Sequence, residues 1–154
     1  MKIISHRGNL NGANLKLENT EEYIDVALEN GFDVEIDLWK INNEYFLGHD
    51  KPCNEVSLEW IENRKHKLWI HTKNFNAFES LLKINREFIF FYFTLEPLVL
   101  VSNGKIWTHS PEKIANPKNC IIPLLEKNTV RKNQYNEWFG ICTDYPLKLR
   151  NHHL

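Results

Sequence analysis

The chain has 154 residues, a net charge of −1 with histidines neutral, 42% apolar and 25% charged residues. That length suits one domain, residues 1–154, with a single core, and the balanced charge gives no electrostatic footprint for nucleic acid. The apolar run at residues 88–93 is too short to cross a bilayer, which argues against membrane insertion.

MKIISHRG at the start lacks the apolar segment of a secretory leader. Cys53, Cys120 and Cys142 are odd in number and widely spaced, as expected of reduced thiols in a cytoplasmic protein.

Ile3 and Ile4 lead an apolar run ending at His6-Arg7-Gly8, which predicts a first buried strand. Residues 9–17 are polar and glycine-containing, hence a loop. Asn19 or Thr20 can cap a helix whose first turn carries Glu21 and Glu22. Its apolar stripe is Tyr23, Ile24, Ala27 and Leu28, and Gly31 sits where a left-handed terminator is expected.

Residues 33–40 alternate, with Val34, Ile36 and Leu38 on one face of a strand and Glu35 and Asp37 on the other. Asn42-Asn43 suits a turn, after which Tyr45 to Leu47 lead to Gly48-His49-Asp50. Ser57 caps a short helix, residues 68–72 form a third core strand, and Asn74 or Asn76 opens a helix carrying Phe78, Leu81, Leu82 and Ile84. Residues 88–94 read as a strand buried on both faces. Asn103-Gly104 between apolar runs predicts a hairpin. Late strands are expected at 120–125 and 140–143, a helix at 128–138 between them, and fraying over 151–154. This alternation predicts an α/β protein with a mainly parallel sheet.

The candidate chemistry gathers at strand ends. Glu35 and Asp37, two apart on a strand, lie roughly 6–7 Å from one another. If both face inward, both ionise only at a cost that a divalent cation removes, and Mg²⁺ or Ca²⁺ prefers such oxygens. His6 and His49 titrate near neutrality and suit an acid/base pair. Arg7 offers a planar fork for phosphate oxygens. Lys73 adds a point charge, and His71, alternating with it, is a metal ligand or a further proton-transfer group. Taken singly, each has an ordinary structural role, and solvated acids on a strand face are the commonest reading of such alternation. His66 and His109 lack supporting context. The tryptophans read as core, with Trp39 and Trp107 as candidates to line a pocket.

In this order, His6-Arg7-Gly8, Glu18-Asn19-Thr20, the helix ending at Gly31, Glu35-Ile36-Asp37, His49-Asp50 and the late GICTDYP at 140–146 resemble the glycerophosphodiester phosphodiesterase family. The resemblance implies a TIM-type (β/α) barrel with its site at the C-terminal strand ends. It further implies hydrolysis of a small-molecule glycerophosphodiester, with a neighbouring glycerol hydroxyl attacking phosphorus and water opening the cyclic phosphate. His6 and His49 would be the acid/base pair, and Glu35 and Asp37 the metal ligands. Arg7 and Lys73 would bind phosphate, while Glu18 would ligate the metal or brace it.

Three departures stand out. Where the family carries an acidic third-strand ligand in an ExK pattern, this chain has His71-Thr72-Lys73, which would shift preference toward Mn²⁺ or Zn²⁺. Only about 18 residues separate Asp50 from the third strand, so the family's insertion there is missing. Full barrels need about 250 residues and rarely fewer than about 200. A reduced barrel is expected, its helices trimmed or missing between 94 and 119, and open strand edges would admit a partner copy. Two other functions fit the same residues. One is a catalytically silent relative binding a phospho-ligand or protein. The other is a lyase that stops at the cyclic phosphate.

Overall fold

The structure is a computed structural model describing residues 1–84, 87–92, 95–127 and 135–151. Strand β1 (Lys2–His6) is followed by the predicted loop and by helix α1 (Glu21–Glu29). Thr20 is the N-cap residue but makes no side-chain cap bond; its hydroxyl donates to the Leu17 carbonyl instead. Asn19 is turned the other way, onto Asp37. Gly31, at φ 87°, ends the helix as expected.

The alternating stretch forms β2 (Asp33–Ile41), which turns at Asn42 into two short antiparallel strands, β3 (Glu44–Leu47) and β4 (Asn54–Val56). Helix α2 (Leu58–Glu62) starts at Ser57, whose hydroxyl accepts the Trp60 amide at 3.0 Å. Strand β5 (Leu68–Thr72) leads into α3 (Phe75–Ile84), whose first turn is closed by the Asn74 side-chain Oδ1 accepting from Ala77 N–H. Strand β6 (Ile89–Phe91) is shorter than the 88–94 run, whose residues 93 and 94 lie outside the described residues. The Asn103-Gly104 turn joins β7 (Leu98–Leu100) to β8 (Ile106–Thr108) as an antiparallel pair. Two single 3₁₀ turns, Pro111–Lys113 and Pro117–Asn119, stand where full helices are absent from the described residues. The chain ends in β9 (Cys120–Pro123), β10 (Gly140–Thr143) and α4 (Pro146–Asn151). The helix expected over 128–138 falls mostly outside the described residues; Tyr135 to Trp138 form a turn closed by Trp138 N–H on the Tyr135 carbonyl.

The strands run β6–β5–β2–β1–β10–β9–β8 in parallel, with β7 antiparallel beyond β8 and β3–β4 added along the far end of β2. This mixed sheet curls into a half-barrel with few helices. Val34, Ile36, Leu38, Leu68 and Ile70 pack outward with Ile24 and Ala27 of α1 and Leu81 of α3. Ile4, Trp69, Phe91, Trp107, Ile121 and Cys142 fill the concave side. Ser102, just after β7, ties that hairpin to β6: its amide donates to the Phe90 carbonyl at 2.9 Å and its hydroxyl to the Phe88 carbonyl at 2.8 Å. Among the described residues no helix is long and apolar enough to cross a membrane.

Candidate active site

Register assembles the site. β1 and β2 align His6 with Glu35, and β2 and β5 align Asp37 with His71. In parallel strands, aligned residues project from the same face, so these four side chains sit together at the C-terminal rim of the concave side. The apolar layer of Ile4, Trp69 and Cys142 lies directly beneath.

The His6-Arg7-Gly8 run then reverses the chain. Arg7 adopts φ 56° and Gly8 φ 88°, and a Cβ on Gly8 would come within 3.1 Å of the Ile24 amide nitrogen. Gly8 thereby lets α1 pack against the strand end.

Glu35 and Asp37 are 3% and 0% exposed, so they are not acids on a solvated strand face. Asp37 sits amid cations and donors. Arg7 Nε lies 2.9 Å from Oδ2, His71 Nδ1 3.2 Å and Lys73 Nζ 3.4 Å from Oδ1, and Asn19 Nδ2–H donates to Oδ2 at 3.0 Å. Burial alone would raise this carboxyl's pKa. The His71 hydrogen bond and the Arg7 and Lys73 charges outweigh burial and hold it well below the usual carboxylate range.

Glu35 is in the opposite situation. Burial and the neighbouring Asp37 charge push it up to about 7, partly offset by His6 and Arg7. Its Oε2 is buried and accepts no hydrogen bond. Burial likewise opposes protonation of His6, yet its Asp144 hydrogen bond and the Glu35 charge raise its pKa. Arg7 also pairs with Glu18, Nη1 to Oε2 at 3.1 Å.

Glu35, Asp37 and His71 can each aim one donor atom so that all three lie within 4.8 Å of one another. Two buried carboxylates, one with an orphaned oxygen, beside an imidazole fit a divalent cation. Glu18 is engaged instead by Arg7 and by Asn9 Nδ2–H at 2.9 Å, a bracing arrangement.

Seven of the eight sequence candidates thus converge: His6, Arg7, Glu18, Glu35, Asp37, His71 and Lys73. His49 stands apart. Its side chain is 45% exposed and its Nδ1 pairs with Asp50 at 2.7 Å. The loop bearing it is nevertheless anchored to the site, because Gly48 N–H donates to the Asp37 carbonyl and Trp39 Nε1–H to the Gly48 carbonyl. Trp39 therefore ties the loop to β2, while Trp107 is core, stacked on Phe91 at 4.7 Å.

Asn9, Asn19 and Asp144 join the site without being among the eight candidates. His6 Nδ1 lies 2.8 Å from Asp144 Oδ1, which also accepts from Asn9 Nδ2 at 2.8 Å. The available signal is position: Asp144 directly follows a buried late strand, at a strand end where the other candidates also gather. His109 is close enough to His71 that burial and that charge both lower its pKa.

No protein-family model matches the chain, and no curated protein sequence matches it. Among solved structures, the crystal structure of a glycerophosphodiester phosphodiesterase from Agrobacterium tumefaciens str. C58 is similar, with a TM-score of 0.59 and 16% identity over 97% of this chain and 99% of that one. At that identity the likeness is one of fold.

Proposed function

We propose that this chain is a reduced, single-domain (β/α) barrel acting as a cytoplasmic, metal-dependent hydrolase of small glycerophosphodiesters. The observation that carries the reading is the pair of buried carboxylates, Glu35 with an unbonded oxygen and Asp37, grouped with His71 at the strand ends where barrel enzymes keep their sites. Glu35, Asp37 and His71 would hold the cation; their two carboxylates favour Mg²⁺ or Ca²⁺, and His71 brings Mn²⁺ or Zn²⁺ within range. When bound, the cation supplies charge neutralisation at the phosphoryl oxygens.

The remaining steps belong to the side chains. Arg7 and Lys73 grip the phosphate's non-bridging oxygens. His6 takes the proton of the attacking glycerol hydroxyl, a P–O bond forms, and the bond to the leaving alcohol breaks as His49 supplies its proton. Water then opens the cyclic phosphate with the two proton transfers reversed. Omission of that second stage would make the protein a lyase, and product analysis separates the two. A silent phospho-ligand binder is favoured by one observation: His49 is half-exposed and paired with Asp50 rather than with the buried group.

The test is turnover of a glycerophosphodiester panel by metal-stripped protein given Mg²⁺, Ca²⁺, Mn²⁺ or Zn²⁺, with His49→Ala beside each. Metal-restored turnover abolished in the variant is expected. No turnover and no metal-dependent rise in Tm would overturn the hydrolase; metal stabilisation without turnover would support the binder.

A further inference from the structure

Asp144 and His6 are 138 residues apart in the chain, yet Oδ1 and Nδ1 are 2.8 Å apart. An ionised carboxylate only accepts, so Nδ1 carries the hydrogen and, in the neutral ring, Nε2 keeps its lone pair. Free imidazole side chains favour the other tautomer. Nε2 lies on the site side, 3.9 Å from Glu35 Oε2.

What holds Asp144 in this role is Asn9, a fully buried amide. Its Oδ1 accepts the Asn14 amide at 3.0 Å, which orients the group and leaves Nδ2 as a donor to both Glu18 and Asp144. The Asn9 backbone is itself tied to β1, its carbonyl accepting the Ser5 hydroxyl at 2.7 Å and its amide donating to the His6 carbonyl at 3.0 Å. Whatever atom faces Asn9 Nδ2 and His6 Nδ1 together must therefore be an acceptor.

We infer that Asp144, clamped by Asn9, is a positioning residue that fixes His6 as the Nδ1–H tautomer and presents the Nε2 lone pair to the phosphodiester. Asp144 acts through His6 and does not touch the phosphate, so its loss falls on kcat while Arg7 and Lys73 keep KM nearly unchanged. The kinetic half of the inference rests on the proposed hydrolase; the tautomer half stands on the geometry alone.

The test is ¹⁵N NMR of the His6 ring in metal-free protein at alkaline pH, where the ring is neutral, joined to steady-state kinetics. Wild-type protein is expected to show a protonated Nδ1 and an unprotonated Nε2, and Asp144→Ala to move the proton to Nε2. Asp144→Asn should keep the wild-type tautomer, because the Asn9 amino group admits only the new carbonyl oxygen opposite it. Adding Asn9→Ala to Asp144→Asn should release the amide and lose the tautomer. In turnover, Asp144→Ala should lower kcat about 100-fold or more, with Asp144→Asn recovering part of it. An Nε2–H ring in wild type, an unchanged ring in Asp144→Ala, or a switched ring in Asp144→Asn overturns the inference. If Asp144→Ala does not fold, Asp144→Asn with and without Asn9→Ala decides the point. If wild type turns nothing over, the hydrolase reading falls while the ring tautomers still decide the clamp.

Discussion

Glu35→Gln reverses sign with pH and with metal. Glu35 is buried with an unbonded oxygen, and its carboxyl is pushed from an ordinary 4.5 to about 7 by burial and then by Asp37. The folded state therefore holds its proton more tightly than the unfolded chain, and metal-free stability falls as pH rises from about 4.5 to 7. The gap corresponds to roughly 3 kcal/mol between the two ends of that window. His6 acts in the same direction: its pKa is raised, so its contribution is present below about 6.5 and is lost as pH rises through its folded value.

Glutamine keeps the shape without the charge. Its buried amide carries a cost of about 1–3 kcal/mol that does not vary with pH, so the comparison between pH values isolates the carboxylate. Relative to wild type, metal-free Glu35→Gln should gain about 3 kcal/mol from pH 4.5 to pH 8.5, or roughly 6–12 °C in Tm for a domain of this size. Adding Mn²⁺ at pH 8 should raise the wild-type Tm and leave the variant nearly unmoved, because a cation replaces the missing proton only on a carboxylate. Urea unfolding and thermal scans across pH measure both effects. A variant whose stability relative to wild type is the same at pH 4.5 and 8.5 would refute the reasoning, since Glu35 would then carry no folded-state penalty.

Asn19→Ala removes two hydrogen bonds to Asp37, one through each side-chain atom, from a residue at φ 56°. It should cost about 2–3 kcal/mol in urea unfolding with an unchanged m-value. Gly48→Ala would drive a Cβ into the Lys51 carbonyl oxygen at φ 150°. A loss of about 2 kcal/mol or more is expected, and hydrogen exchange at the Gly48 amide should show that its bond to Asp37 has opened. Ser102→Ala deletes the hydroxyl joining Phe88 and Phe90 to the β7–β8 hairpin; about 1–2 kcal/mol should be lost, with faster exchange concentrated in β6.

Local patterns were legible because they depend on a few neighbouring residues. Residues 33–40 predict both the strand and the face shared by Glu35 and Asp37, since side chains alternate regardless of what lies beyond. Ser57 and Asn74 announce their helices by the same local logic, as does Asn103-Gly104 its hairpin. The resemblance of the ordered motifs pointed to the fold shared with a solved phosphodiesterase. Tertiary structure decided the rest. That β10 lies between β1 and β9 is a matter of which strands meet, and this meeting sets Asp144 against His6. Asn19 looked like a helix cap because caps are local; the fold commits it to Asp37, eighteen residues on. His49 looked equal to His6 in sequence, yet β3 turns it toward solvent while β1 buries its counterpart. Periodicity says which face a side chain takes; only the closing of distant strands says what it will find there.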